Sequence, residues 1–353
     1  MEKDKIIKLN KGDKVAIVSL SSGMLGEKFC SHQIKLGVKR LKELGLEPVF
    51  MKNSLKGIKA LEENPMLKVQ DLIEAFSDGS IKGVITAIGG VDAHKIIPHI
   101  LENVEYMNIL KNNKKFFMGY SDTTTNHLLL HKLGINTFYG LSFLTDFAEL
   151  DREMLEYTKK SFDNIFTNKE FRYKSSDIWY EERKDFSEKQ INIPRISHNE
   201  KRGFELIKGN EVFSGKLMGG CVESLNEYII GTRYSEVVEI NNKYKIVPKD
   251  NKNKIIFLET SENKISPNEL KEMLIGFREY GLFEKINGIL IGKPQDEMYY
   301  EEYKKVYLEV LKNYDISIVY NVNFGHAYPK ILLQYDANCI VDMNKKEIIV
   351  DRI

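Results

Sequence analysis

The chain has 353 residues, 42% of them hydrophobic, and 52 Lys+Arg balance 51 Asp+Glu to a net charge of +1. At roughly 100–200 residues per domain this length predicts two domains, each able to bury its own core. Balanced charge, with lysine runs no longer than Lys114–Lys115, argues against a nucleic-acid partner held by phosphate neutralisation, and no run nears the roughly 18 apolar residues of a membrane span.

In chain order, the start is charged and lacks an apolar signal core, which argues against secretion. Residues 14–20 read as a strand running into the polar turn Ser21-Ser-Gly, followed by a helix-period stretch over 33–44 closed by Gly45. Strand-like 46–51, helical 67–76, and strand-like 83–88 before Gly89-Gly90 come next. They are followed by helical 92–101, strand-like 115–119 and helical 123–133. Repeated βα units predict a parallel sheet under helices, with chemistry at the carboxyl ends of its strands. Residues 150–203 are polar, contain the lone Trp179, and read as a terminal helix plus an extended connection. From 204 onward, strands mixed with helices around 268–277 and 300–313 predict a second, smaller mixed α/β domain. The expected boundaries are 1–165, a linker at 166–204, and 205–353. Three widely spaced cysteines, Cys30, Cys221 and Cys339, fit a reducing compartment, so the expected location is the cytoplasm.

No phosphate loop, H-E-x-x-H, G-x-G-x-x-G or G-x-S-x-G is present in the sequence. What remains stands at strand ends. Ser121 lies where a strand meets a helix, so it is either an N-cap or a nucleophile beside helical N–H groups, with the Asp122 amide facing an oxyanion. Gly89-Gly90 form either an ordinary tight turn or one that brings N–H groups to a ligand. His326, in a loop between strands, is a positioned base or a solvent histidine. Glu259 closes an apolar strand as an escaping charge or an orienting acid, with Glu223 as a competing acid. His127 and His131 share a helical face, where packing is favoured over metal binding. Together these supply a serine, an acid and a histidine, the kit for nucleophilic acyl transfer.

Gly12-Asp-Lys-Val-Ala-Ile-Val-Ser, Ile88-Gly-Gly, Gly119-Tyr-Ser-Asp, Gly215-Lys-Leu-Met-Gly-Gly, Phe257-Leu-Glu, Gly288-Ile-Leu-Ile-Gly-Lys and Phe324-Gly-His span nearly the whole chain. With them the chain resembles the LD-carboxypeptidase family of serine peptidases, which includes murein tetrapeptide carboxypeptidases and microcin C immunity proteins. The resemblance implies a Rossmann-like (flavodoxin-like) N-terminal domain bearing the nucleophile Ser121. It implies a C-terminal domain bearing the base His326 and the orienting Glu259, and an active site in the cleft between them. It also implies an oxyanion hole from the amides of Asp122, Gly89 and Gly90, no metal or organic cofactor, and a homodimer. Ile88 before Gly89-Gly90, and Trp179 as a base-stacking ring, resemble the immunity branch, which cuts an aminoacyl–nucleotide amide. Trp179 reads equally as a packing peg. The other branch releases D-Ala from murein tetrapeptide in wall recycling. Cys221 departs from the asparagine usual there in murein-type members. A non-catalytic ligand-binding module is the reading from a different class, which the joint presence of Ser121, Glu259 and His326 disfavours.

Overall fold

The apolar run after Asp13 forms strand β1, Lys14–Val18, which is buried beyond its first residue. The structure, a computed structural model, describes residues 7–167 and 169–353; the first six residues of the charged start lie outside it. Beside β1 lie β2 Glu47–Phe50, β3 Ile81–Thr86, β4 Phe116–Gly119 and β5 Phe138–Tyr139. Their spatial order is β2-β1-β3-β4-β5, with every neighbouring pair parallel. Parallel neighbours need crossovers, here α1 Ser31–Glu43, α2 Ile58–Glu63, α3 Met66–Ser77, α4 Ile96–Leu101, α5 Val104–Asn112 and α6 Thr124–Lys132, with α7 Glu156–Asp163 after the last strand. The near-continuous apolar strands follow from helices covering the sheet. This is the strand order of the flavodoxin-like domain that the resemblance implies, and it reverses between β1 and β3, where ligands of such sheets collect.

The second sheet is mixed. Its strands are β6 Phe171–Tyr173, β9 Glu205–Lys208, β10 Val212–Cys221, β11 Lys254–Glu259, β12 Gly288–Gly292, β13 Ser317–Val322, β15 Asn338–Asp342 and β16 Glu347–Asp351; β7 Ile178–Tyr180, β8 Ser197–Asn199 and β14 Leu333–Gln334 complete the chain order. The sheet runs β6-β16-β15-β10-β11-β12-β13-β9. Its four middle strands are parallel and its flanks antiparallel. Helices α8 Val222–Ile229, α9 Ser235–Tyr244, α10 Pro267–Tyr280 and α11 Tyr300–Val310 accompany it. Local chemistry fixes α10 closely: Ser266 and Glu269 form a capping box, Pro267 opens the first turn, and Gly281 at φ 91° ends the helix.

The chain divides into two compact units. The first comprises Met1–Asn168, Arg183–Arg195 and Ile353; the second comprises Lys169–Glu182 and Ile196–Arg352. Residues 166–204, expected as a linker, are therefore shared out, with β6 and the antiparallel pair β7–β8 in the second unit. Residues 183–195 are tied into the first unit by a buried cluster. Glu149 accepts from Arg183 Nε at 2.9 Å and from Arg195 Nε at 2.5 Å. Burial alone would raise the Glu149 pKa, but the two guanidinium groups hold it below the usual carboxylate range.

Candidate active site

In the first unit, three loops leave the carboxyl ends of β1, β3 and β4 and are stitched together by one side chain. Asp122, directly after Ser121, accepts from Ser21 Oγ and from the Ala93 amide at 3.0 Å. Burial pushes its carboxyl pKa up in spite of these bonds. The glycine turn is anchored from below by the fully buried Lys68 on α3, whose ammonium sits 2.5 Å from Asp92. Burial lowers the Lys68 pKa, with Asp92 opposing. Neither Lys68 nor Ser21 carries a motif, so both escape a reading by sequence.

Ser121 is half-buried and adopts φ 64°, in the left-handed region that costs a residue with a Cβ about 1–2 kcal/mol. The sharp turn presents the hydroxyl where β4 gives way to a short 3-10 turn and α6. The turn has the sharpness of a nucleophile elbow and keeps that motif's first glycine, Gly119, with Thr123 in place of the second. Gly89 makes room: a Cβ there would lie 2.7 Å from both Cβ and Oγ of Ser121 and 3.3 Å from the Asp122 nitrogen. Gly90 has φ 145°, and a Cβ on it would press to 2.6 Å from Ser21 Oγ. The Ser121 amide is already engaged, donating to Tyr139 Oη at 3.2 Å. His127 is buried against this turn, with Nε2 3.0 Å from Gly119 O and Nδ1 2.7 Å from Thr137 Oγ1. Burial drives its pKa down to about 3, so it is a neutral packing residue that pins the strand end.

In the second unit, β11 ends at Glu259, and the loop after β13 brings His326 to it. Glu259 Oε2 lies 2.7 Å from His326 Nδ1 and accepts the His326 amide at 3.2 Å. Glycines shape this cage. Gly325 has φ 91°, and a Cβ there would sit 2.6 Å from the Glu259 carboxyl carbon, while one on Gly292 would come within 2.7 Å of Glu259 Cβ. On the other ring edge, Glu262 Oε2 stands 3.0 Å from His326 Nε2, a contact no sequence pattern announces. Burial alone would lower the His326 pKa, but Glu259 and Glu262 outweigh it and raise it well above the ordinary value.

Glu223 does not orient the histidine. It is buried in α8, where Oε1 accepts from the Ser261 amide at 2.9 Å and from its hydroxyl at 2.7 Å. Cys221 Sγ donates to Glu223 Oε2 at 3.3 Å, and burial with Glu223 and Glu259 nearby raises its pKa far up. Cys221, Glu259 and His326 bring potential metal-ligand atoms within 4.8 Å of one another. Burial holds the Cys221 thiol protonated, which makes it an inert packing group beside the Glu259–His326 pair. Trp179 pairs with His198 across β7–β8 and stacks on its ring at a centroid distance of 4.2 Å, with Lys293 Nζ 5.1 Å from the indole centre. Among the described residues no helix is long and apolar enough to cross a membrane.

An elbow serine with adjacent glycine amides in one unit, and a carboxylate-oriented histidine in the other, are the parts of a serine hydrolase. Family comparison agrees: the LD-carboxypeptidase N-terminal domain matches residues 15–140 and the LD-carboxypeptidase C-terminal domain matches residues 214–341. The chain belongs to the LD-carboxypeptidase family and is a serine-type carboxypeptidase. It is 27% identical to a Bacillus subtilis (strain 168) protein named "Probable murein peptide carboxypeptidase", over 97% of this chain and 93% of that protein. A crystal structure of an MccF-like protein from Streptococcus pneumoniae in complex with AMP is 44% identical, with TM-score 0.93 over 96% of this chain and 98% of that one. The microcin C7 self immunity protein MccF in complex with aspartyl sulfamoyl adenosine shares the fold, at 21% identity and TM-score 0.81 over 98% and 97% of the two chains.

Proposed function

We propose that the chain hydrolyses the amide joining an aminoacyl or peptidyl group to a nucleotide, as a microcin C immunity-like enzyme, using Ser121, Glu259 and His326. The observation that carries the substrate choice is the 44% identity to the MccF-like protein crystallised with AMP. Trp179, whose ring stacks on His198, is the aromatic side chain to which this reading assigns contact with the base.

In this reading Ser121 Oγ attacks the scissile carbonyl while His326 Nε2 takes its proton. Glu259 holds Nδ1–H and so fixes the tautomer. The oxyanion is received by the amides of Asp122, Gly89 and Gly90, donors worth about 3–4 kcal/mol each in other hydrolases. His326 then protonates the leaving nitrogen. Water, deprotonated by the same base, releases the acyl group and restores Ser121. The protein works in the cytoplasm as a homodimer.

The second reading, release of D-Ala from murein tetrapeptide, is favoured by the 27% identical relative named for murein peptides. Purified protein given aminoacyl-sulfamoyl adenosine and murein tetrapeptide in parallel, with Ser121→Ala as blank, decides between them. Cleavage of the adenosine analogue alone is the expected result, and D-Ala release alone reverses the assignment. Fluorophosphonate labelling at Ser121 is expected in either case; binding without labelling or turnover would make the chain a ligand-binding module.

A further inference from the structure

His326 is held at both ring nitrogens. Glu259 takes Nδ1 at 2.7 Å, and Glu262 takes Nε2, the nitrogen that must receive the serine proton, at 3.0 Å. A base whose two N–H groups both donate to carboxylates is an imidazolium and accepts nothing. For Ser121 to be activated, Glu262 has to leave.

The loop is built for a moving side chain on a fixed backbone. Ser261, one residue before, is clamped by Glu223 through both amide and hydroxyl. The Glu262 side chain is 50% exposed, whereas that of His326 is 7% exposed, so its outward side is open to an arriving group. The hydrogen bond to His326 is the first cause of the depressed Glu262 pKa, about 2, so the latch is an anion. Other charges face the pair. Glu182 interacts with both Glu262 and His326, Lys330 acts on Glu262, and Lys264 and Asp296 act on Glu182 while bonded to each other at 2.7 Å. Lys264 is already bonded to Asp296, which leaves Lys330 and His326 as the cations that act on Glu262.

We propose that Glu262 is a substrate-displaced latch, drawn off His326 Nε2 by the ammonium group of an aminoacyl substrate; this rests on the aminoacyl reading above. An ammonium is the kind of donor that competes with an imidazolium N–H for a carboxylate. In an aminoacyl amide it sits on the carbon next to the scissile carbonyl, beside the serine–histidine exchange. Once Glu262 bonds the ammonium, the Nε2 proton passes to water, Nδ1–H stays on Glu259, and neutral Nε2 takes the Ser121 proton. The latch thus makes the base available only when a free amine is bound, and an Nα-acylated analogue lacks the trigger.

Two measurements on wild type and Glu262→Gln test this. In the ligand-free proteins, nuclear magnetic resonance titration should show the His326 midpoint falling by about one unit or more in the variant, as one charge-bearing partner is lost. In kinetics, wild type should favour aminoacyl-sulfamoyl adenosine over its Nα-acetyl form by about tenfold or more in kcat/KM, the scale of one charge-assisted hydrogen bond, and Glu262→Gln should collapse that ratio by raising KM for the free amine. An unchanged His326 midpoint, or an unchanged substrate ratio in an active variant, overturns the latch and leaves the substrate reading standing. Cleavage of murein tetrapeptide but neither nucleotide removes the aminoacyl reading, and the ammonium trigger falls with it.

Discussion

Ser121 holds a conformation that its side chain disfavours, and the surroundings over-determine it through the Gly89 gap and the Tyr139 hydroxyl. Removing only Oγ leaves that backbone and its packing alone. Ser121→Ala is therefore expected to lower kcat/KM by at least about 10³-fold while shifting unfolding stability by less than about 1 kcal/mol. Hydrolysis assays beside thermal melts check both halves, and a wild-type rate would end the nucleophile assignment. Gly325→Ala should behave oppositely. It places an L residue at φ 91° and a methyl against the Glu259 carboxyl, so about 2 kcal/mol or more of stability and most activity should go together. The pH dependence has a definite sign. The folded His326 pKa lies above its ordinary 6.5, so kcat/KM should rise with pH through a midpoint above that value. Stability runs the other way: the Glu259–His326 contribution is complete below about 6.5 and is lost as pH climbs through the raised folded value. Position alone leaves Ser121 as cap or nucleophile, Glu259 as escaping charge or orienting acid and His326 as base or solvent histidine; the resemblance of the motifs around them is what singles out the three as a set. Glu262 was not legible, since its partner is 64 residues away in a chain that shows only spacing.

At the scale of elements, the glycine turn after β3 owes its place to α3 as much as to its own residues. Lys68 and Asp92 are buried and bonded at 2.5 Å, and without Lys68 the buried carboxylate keeps the more exposed and more distant Lys95, at 3.4 Å, as an ion-pair partner. Lys68→Met is expected to cost about 3–5 kcal/mol, read as a lowered urea midpoint, with kcat falling more than KM changes because the Gly89-Gly90 amides lose their support. A stable variant with an unchanged kcat would show that the turn is held by its glycines alone. The βα units of the first sheet were readable because buried parallel strands are continuous apolar runs and α1 is closed by Gly45 at φ 84°. Residues 166–204 were not readable: β6, β7 and β8 are three residues each, too short to show an alternating pattern, and β6 acquires its strand geometry from the distant β16. Pairing across the chain, rather than local preference, makes them strands.

On the scale of the whole molecule, the chain enters the second unit at Lys169, returns to the first for Arg183–Arg195, and leaves again at Ile196. That return has a specific fastening. Glu149, with its side chain 2% exposed, pairs with Arg183 and Arg195 through its two carboxylate oxygens, and Arg40 Nη1 donates to the carbonyls of Phe147 and Glu149, while Asn192 donates its amide to Leu150 O at 2.8 Å. Composition showed a polar connection here because the residues are polar; the burial of their charges depends on a glutamate more than thirty residues earlier. Glu149→Gln takes from two buried guanidinium groups the carboxylate they share, which is costly in a low-dielectric interior. The expected result is a loss of about 3–5 kcal/mol and a new, fast trypsin cleavage at Arg183, Lys184 or Lys189 under conditions where wild type stays intact. The active-site residues lie outside this segment, so uncut variant protein should still be labelled at Ser121 by a fluorophosphonate. Unchanged proteolysis would mean that backbone hydrogen bonds alone hold residues 183–195. Loss of labelling in the uncut protein would instead tie the fastening to the integrity of the serine site, because nothing else in the substitution touches β4 or its turn.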